Sequence, residues 1–254
     1  MNLRTPLRTG AFTLALSTLL ASSMLSIASA QTATPIVYPP MPPDPTVLKM
    51  TILKGDQQIS MRLNTIKKQT ANVAGFKHVT GPLKTALTTQ LSDAQNGNPK
   101  LKLLGLVNLQ KKLDKETSVT AAQADYNSIF TDYRIYMLVV PKIAIVNVAE
   151  MQQDRETNQN KAIGILDTYV RAYNGSDKAV LELRLANDNS QLLKAVVTTQ
   201  TVENVVLQLN AQDYNNDHTV MKDNLTKLQA NIKTLNTIRK DLKDLQNTLS
   251  QKKA

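Results

Sequence analysis

DHTVMKDNLTKLQANIKTLNTIRKDLKDLQNTLS, residues 217–250, is the stretch that decides the fold class. Its apolar residues Met221, Leu225, Leu228, Ile232, Leu235, Ile238, Leu242, Leu245 and Leu249 advance by 4, 3, 4, 3, 3, 4, 3 and 4. Alternating steps of four and three keep one face of an α-helix against a partner, and the extra step of three reaching Ile238 reads as a stammer that overwinds the seam. No Gly or Pro interrupts it. The pattern predicts a helix over 217–250, packed lengthwise on other helices.

The rest of the chain from residue 46 follows the same style. Ile52, Ile59, Ile66 and Val73 recur every seven residues, with Leu63 at one intermediate position. Beyond Pro45 the prolines are Pro82, Pro99 and Pro141, and turn signals gather at Gly75 to Pro82, Asn96-Gly97-Asn98-Pro99 and Asn174-Gly175-Ser176-Asp177. Between these breakers lie Leu-, Ala-, Gln- and Lys-rich runs of high helix propensity. The expected helices are 46–75, 83–95, 100–115, 120–174 (bent at Pro141), 177–209 and 217–250, with Thr120 and Gln123 as a capping box for the fourth. The run 135–146, IYMLVVPKIAIV, is apolar on nearly every side and is expected to be the most buried helix. The fold class is therefore all-α, an elongated multi-helix bundle or antiparallel coiled coil with long first and last helices.

Upstream of this, residues 1–30 read as a secretory signal peptide. Arg4 and Arg8 precede an uncharged apolar run from Ala11 to Ile27, and Ala28-Ser29-Ala30 is a small-x-small site before Gln31. Cleavage after Ala30 gives a secreted or periplasmic protein. Residues 31–45 hold Pro35, Pro39, Pro40, Pro42, Pro43 and Pro45, a composition that favours an extended polyproline-II linker. The domain assignment is thus signal peptide 1–30, proline-rich linker 31–45 and helical bundle 46–254.

Lys and Arg number 30 against 20 Asp and Glu, a formal net charge of +10. The excess is interleaved with acids, the pattern of solvated helix faces, although residues 222–254 are locally basic. With no Cys, the chain builds no disulfide and no thiolate metal site, and with no Trp and three Phe it offers little for an aromatic sugar cleft. His78 and His218 show no zinc-ligand spacing. Asp213-Tyr-Asn215-Asn-Asp217 begins like a calcium loop, with Val220 at the apolar eighth position. However, His218 stands where Gly makes the turn and Asn224 where a bidentate Glu belongs, so a helix cap by Asp217 is the better reading.

Tyr126, Tyr133, Tyr136, Tyr169 and Tyr173 with Arg134 and Arg171 compose a stacking face on paper, but their spacings of four and seven are those of a bundle rim. Glu116, Glu150, Glu156, Glu182 and Glu203 are the glutamates; none sits in a glycosidase-like loop, and most are expected on exposed faces. Nucleophile-elbow, P-loop and dinucleotide-binding motifs are absent from the sequence. No catalytic, cofactor-binding or metal-binding residue is assigned, and no cofactor is expected. The apolar run 135–148 contains Pro141, Lys142 and Asn147 and is shorter than the ~20 residues a membrane span needs, so no transmembrane span is expected after signal cleavage.

Leu53-Lys54-Gly55-Asp56-Gln57-Gln58-Ile59 with Arg62-Leu63, and Asp132-Tyr133-Arg134-Ile135-Tyr136-Met137-Leu138-Val139-Val140-Pro141-Lys142, resemble segments of uncharacterised secreted α-helical proteins of bacteria. The usual acidic-basic pair after Pro141 is blurred here to Val148-Ala149-Glu150-Met151. The resemblance implies an exported helical fold and carries no activity or site residues.

These features point to a non-enzymatic exported helical scaffold or interaction protein of the cell envelope or extracellular space. Its expected partner is a protein, or a second copy, bound through heptad helices. Two alternatives are a periplasmic holdase-like chaperone and a module with weak affinity for polyanions such as wall polymer, lipid or nucleic acid.

Overall fold

The computed structural model describes residues 45–251 apart from Lys102, and the side chain of Leu101 is also left aside. The signal-peptide and linker assignments therefore lie outside the described residues, except that Pro45 opens the first helix and does not end the linker. The chain divides into units Met1–Pro42 and Pro43–Ala254, and all described residues belong to the second. Among them the architecture is all-α, with one isolated bridge pairing Asn98 and Leu103.

Helix α1 (Pro45–Gly75) starts on a proline, whose fixed φ suits a first turn. It packs on α2 (Gly81–Asn96), α3 (Leu106–Leu113) and α4 (Val119–Thr131). Gly55 of α1 allows the close approach of α3. A Cβ there would lie 2.2 Å from Cδ2 of the fully buried Leu113. The helix expected over 100–115 is instead a 3₁₀ turn, Pro99–Leu101, followed by α3. Gly105 makes the break: it sits at φ 85°, and a Cβ on it would fall 2.2 Å from the backbone nitrogen of Gly97.

The single helix expected over 120–174 is two helices. Ser118, not Thr120, caps α4, its side chain accepting from the Ala121 N–H at 3.4 Å. After α4 the chain turns at Arg134, in the left-handed region at φ 43° and ψ 37°. It then winds through a π-helical turn, Ile135–Val139, into α5 (Val140–Ala172). The turn thus lies at Arg134, and Pro141 occupies the first turn of α5, directly after the π-helical residues. The apolar run is core in part: Ile135, Leu138, Ile143, Ile145 and Val146 are buried, while Tyr136 is 41 % exposed.

Helices α5, α6 (Lys178–Gln208) and α8 (Val220–Gln251) pack on one another along their lengths, with the six-residue α7 (Ala211–Asn216) between the last two. Their buried faces repeat without interruption. In α8 the buried residues are Met221, Asn224, Leu228, Asn231, Leu235, Ile238, Leu242, Leu245 and Leu249. In α6 they are Leu181, Leu185, Asp188, Leu192, Ala195, Thr199, Val202 and Val206. Both series alternate strictly between steps of three and four, so α8 has no stammer at Ile238. Asn224 and Asn231 hold the seam positions that apolar counting gave to Leu225 and Ile232. The heptad seam of α8, expected to face a partner, is filled from within the chain by α5 and α6.

Replacing Gly55 by Ala is expected to overpack the α1–α3 contact and lower unfolding stability by about 1–3 kcal/mol. Chemical denaturation of the two proteins, with unchanged helical circular dichroism at zero denaturant, checks this.

Candidate functional site

The apolar core falls into two clusters. One is built from α1 to α4, the start of α5, the end of α6 and the start of α8; the other from the end of α5, the start of α6 and the end of α8. Polar side chains at consecutive seam positions separate them: Gln152, Glu156 and Gln159 on α5, Thr199 on α6 and Asn231 on α8, every one at most 7 % exposed. Buried polar groups are tolerated when they are paired, and most of these are. The Thr199 hydroxyl donates to Glu156 Oε1 at 2.6 Å. The Asn231 amide has two protons and four acceptors in reach: Thr199 Oγ1 at 2.8 Å, Gln152 Oε1 at 2.9 Å, the Ala195 carbonyl at 3.1 Å and Glu156 Oε1 at 3.3 Å.

Two further bonds fix how α5 lies beside α8. Gln152 Nε2 donates to the Leu228 carbonyl at 3.0 Å, and Gln159 Nε2 to the Leu235 carbonyl at 2.7 Å. Both donors and both acceptors are one heptad apart, so the two helices run parallel in a single register. Burial pushes the Glu156 carboxyl up, while its bonds from Thr199 and Asn231 pull it back.

Carboxyl groups also meet in pairs between helices. On α6, Asp188 is buried against Asp241 of α8, with Arg184 bonded to Asp241. Burial first, then the Asp241 charge and hydrogen bond, raise Asp188 to about 7 against the pull of Arg184. Glu203 of α6 faces Glu150 of α5 and accepts from Gln153 Nε2 at 2.5 Å. Burial and then Glu150 raise it to about 7. Glu150 also accepts from the Thr80 N–H at 3.3 Å, at the start of α2, and His78 pairs with Asp154 nearby. Glu150 and Glu156 are buried and Glu203 half-buried, contrary to the expectation that most glutamates lie on exposed faces; shared protons and hydroxyl or amide donors replace the water they lose.

Two buried cations escaped sequence reasoning. Lys142 donates to Gln90 Oε1 at 2.9 Å and to the carbonyls of Leu207 and Leu209 at 3.2 and 2.5 Å, closing the C-terminal end of α6. Burial pulls it down to about 8. Arg62 lies under the rings of Phe130 and Tyr136, 4.6 and 5.1 Å from their centroids, and donates to the Gln58 carbonyl and side chain. Their only sequence signal is a basic residue within an apolar repeat.

The structure does not gather the residues weighed as sites. In the calcium-like segment, Asp213 completes a capping box with Asn210, and Asn215 binds Arg134 Nε and the Thr131 carbonyl. Asp217 caps α8 by accepting from the Thr219 N–H at 2.8 Å, as the cap reading expects. Asn224, at the missing Glu position, is buried and bonded to the Val220 carbonyl. Tyr126 and Tyr133 belong to the first core cluster, Tyr169 and Tyr173 to the second, so they form no common face. Burial pushes the Tyr133 hydroxyl up to about 12. His218 packs edge-on to Tyr214, far in sequence from the His78–Asp154 pair.

Among the described residues, one stretch, Val119–Ala172, is long and apolar enough to cross a membrane, and 56 % of its most apolar window is buried inside the protein. Comparison with family models, curated proteins and solved structures finds no match to this chain.

Truncating Asn231 to Ala is expected to leave Thr199 and Glu156 short of a donor and to cost about 1–3 kcal/mol. Replacing Glu156, Thr199 and Asn231 together by Leu, Val and Leu is expected to be far less destabilising than the sum of the single losses. Denaturant midpoints of the parent, the three single variants and the triple variant decide between these outcomes.

The carboxyl pairs set a pH dependence. Asp188 and Glu203 keep their protons in the fold up to about 7, whereas in the unfolded chain they release them near 3.8 and 4.5. Their contribution is full below those ordinary values and is lost as pH rises through 7. The expected result is a higher melting temperature at pH 5.5 than at pH 8, by a few degrees, with a flatter profile in Asp188→Asn. Thermal melts across that range provide the check.

Proposed function

We propose that this chain is a non-enzymatic helical scaffold, exported from the cell, that works by presenting the outer faces of an antiparallel helical coiled coil to other macromolecules. The observation that carries this reading is the use of buried polar chemistry. Glu156, Thr199, Asn231, Asp188 and Lys142 are all buried and spend their polar groups on holding α5, α6 and α8 together. A shallow depression lined by Leu63, Asn64, Lys67, Thr70, Ala71, Ala74 and Gln95 holds Lys67 as the one charged side chain among those residues, which is poor equipment for acid–base chemistry. Three helices of 33, 31 and 32 residues, with heptad-spaced buried faces, suit a rigid spacer better than a substrate cleft. Export rests on the leader pattern of residues 1–30, and envelope or extracellular residence follows from it.

Polyanion binding is the second reading, favoured by one feature. On α8 the exposed Lys222, Lys233 and Lys240 are spaced by eleven and seven residues, which puts them on one outward stripe.

Photo-crosslinking in the producing cell tests the scaffold reading. A benzophenone amino acid at Gln229 on the outside of α8, or at Leu193 on the outside of α6, is expected to give discrete protein adducts. Absence of adducts at both positions, together with retention on an anionic polymer that falls steeply between about 50 and 200 mM salt, favours the polyanion reading.

A further inference from the structure

The outward face of α6 is apolar where a solvated helix should be charged. Val180, Leu183, Leu193 and Val197 are between 59 and 63 % exposed, and Val205 is 41 % exposed. From Ala179 to Gln208 the exposed charged residues are Glu182 and Lys194. The outward side of α8 shows what solvation demands by contrast: Lys222, Asp223, Lys227, Lys233, Arg239, Lys240, Lys243 and Asp244 are all exposed there. A helix that is apolar on both sides has a second surface to cover.

That second surface has its own heptad register. Ala179, Leu183, Ala186, Ser190, Leu193 and Val197 are exposed and advance by 4, 3, 4, 3 and 4, on the opposite side of α6 from the buried series Leu181 to Val206. We propose that α6 pairs antiparallel with α6 of a second copy of this chain through this outer seam, forming a twofold dimer. The seam is self-complementary. With the twofold axis crossing near residue 188, Leu183 meets Leu193 of the second copy, Ser190 meets its Ala186, and Val197 meets its Ala179. Small residues at the centre let the two helices approach closely, and leucines on either side fill the space next to them.

Charge agrees with the same arrangement. In this register Glu182 lies beside Val196 of the second copy and Lys194 beside its Val180, so no like charges oppose each other across the pair. The basic outside of α8 repels a second copy of itself and offers no such seam.

The seam from Ala179 to Val197 is about 27 Å long and about 10 Å wide, smaller than a standard specific interface. The dimer is therefore expected to be reversible, with a dissociation constant in the range of about 1–100 μM. This inference deepens the scaffold reading and rests on it: a rigid bundle that pairs through one face keeps its other faces free.

Sedimentation velocity of the purified chain from about 1 to 300 μM tests it. The expected result is a monomer-to-dimer transition, with Leu183→Glu and Leu193→Lys each remaining monomeric and keeping the parent melting temperature, since both side chains are exposed. An equimolar mixture of the two variants is expected to regain the dimer, because the carboxylate of Leu183→Glu in one chain then meets the ammonium of Leu193→Lys in the other. A monomer at every concentration overturns the proposal, and so does a dimer that neither substitution weakens. If the chain is monomeric yet Leu193 crosslinks to other proteins in the cell, self-pairing fails while the scaffold reading stands; with no adducts at either position, the scaffold reading fails as well.

Discussion

The amide of Asn231 is the interaction on which the arrangement of the long helices depends. It is buried where three helices meet, and its acceptors come from two of them: Gln152 and Glu156 on α5, Thr199 and the Ala195 carbonyl on α6. Apolar seam residues are interchangeable between neighbouring registers, since leucine packs against leucine at any heptad offset. A hydrogen-bonded side chain is not. Sliding α8 by one heptad in one direction puts Ile238 opposite Glu156 and leaves a buried carboxyl short of donors, at a cost no apolar contact there offsets; sliding it the other way brings up Asn224, the one other seam position with an amide. The paired bonds from Gln152 to Leu228 and from Gln159 to Leu235 repeat the same register one heptad on.

This layer also explains the division of the core. Apolar side chains collect on either side of it, toward Ile145 and Val202 at one end and toward Ile163 and Leu192 at the other. Glu150 and Glu203 lie next to the layer, whereas Asp188 and Asp241 lie about 15 Å further along α6 and α8, within the second cluster. The protons held by Asp188 and Glu203 below about pH 7 spare each pair a second negative charge, and ionisation at higher pH sets two carboxylates against each other in both.

Much of the fold is legible in the sequence because helix breakers and apolar spacing are local signals. The extents of α2, α6 and α8 follow from Gly81-Pro82, Asn174 to Asp177 and the heptads. The misreadings share a cause: polar residues in structural roles look like surface residues or site residues in a sequence. Asn224 and Asn231 interrupt an apolar count and so create a stammer that does not exist; extending the alternation of three and four back from Ile238 finds both. Asp213, which forms a capping box with Asn210, also opens the segment that looks like half a calcium loop. The turn at Arg134 has no local signal, since a left-handed arginine is held by Asn215 and Tyr214 from a distant part of the chain. Gly105 is a visible signal, and the expected helix over 100–115 runs through it. The polar layer itself is not legible, because which glutamine or glutamate turns inward depends on partners about 30 to 80 residues away in sequence.

The most direct test of the central claim is a double-mutant cycle between Thr199→Ala and Asn231→Ala, read as unfolding free energies of the parent, the two single variants and the double variant. If Asn231 sets the register by bonding across the helices, the cycle gives a coupling of about 0.5–3 kcal/mol. A coupling indistinguishable from zero, with both single losses simply adding, would contradict the account.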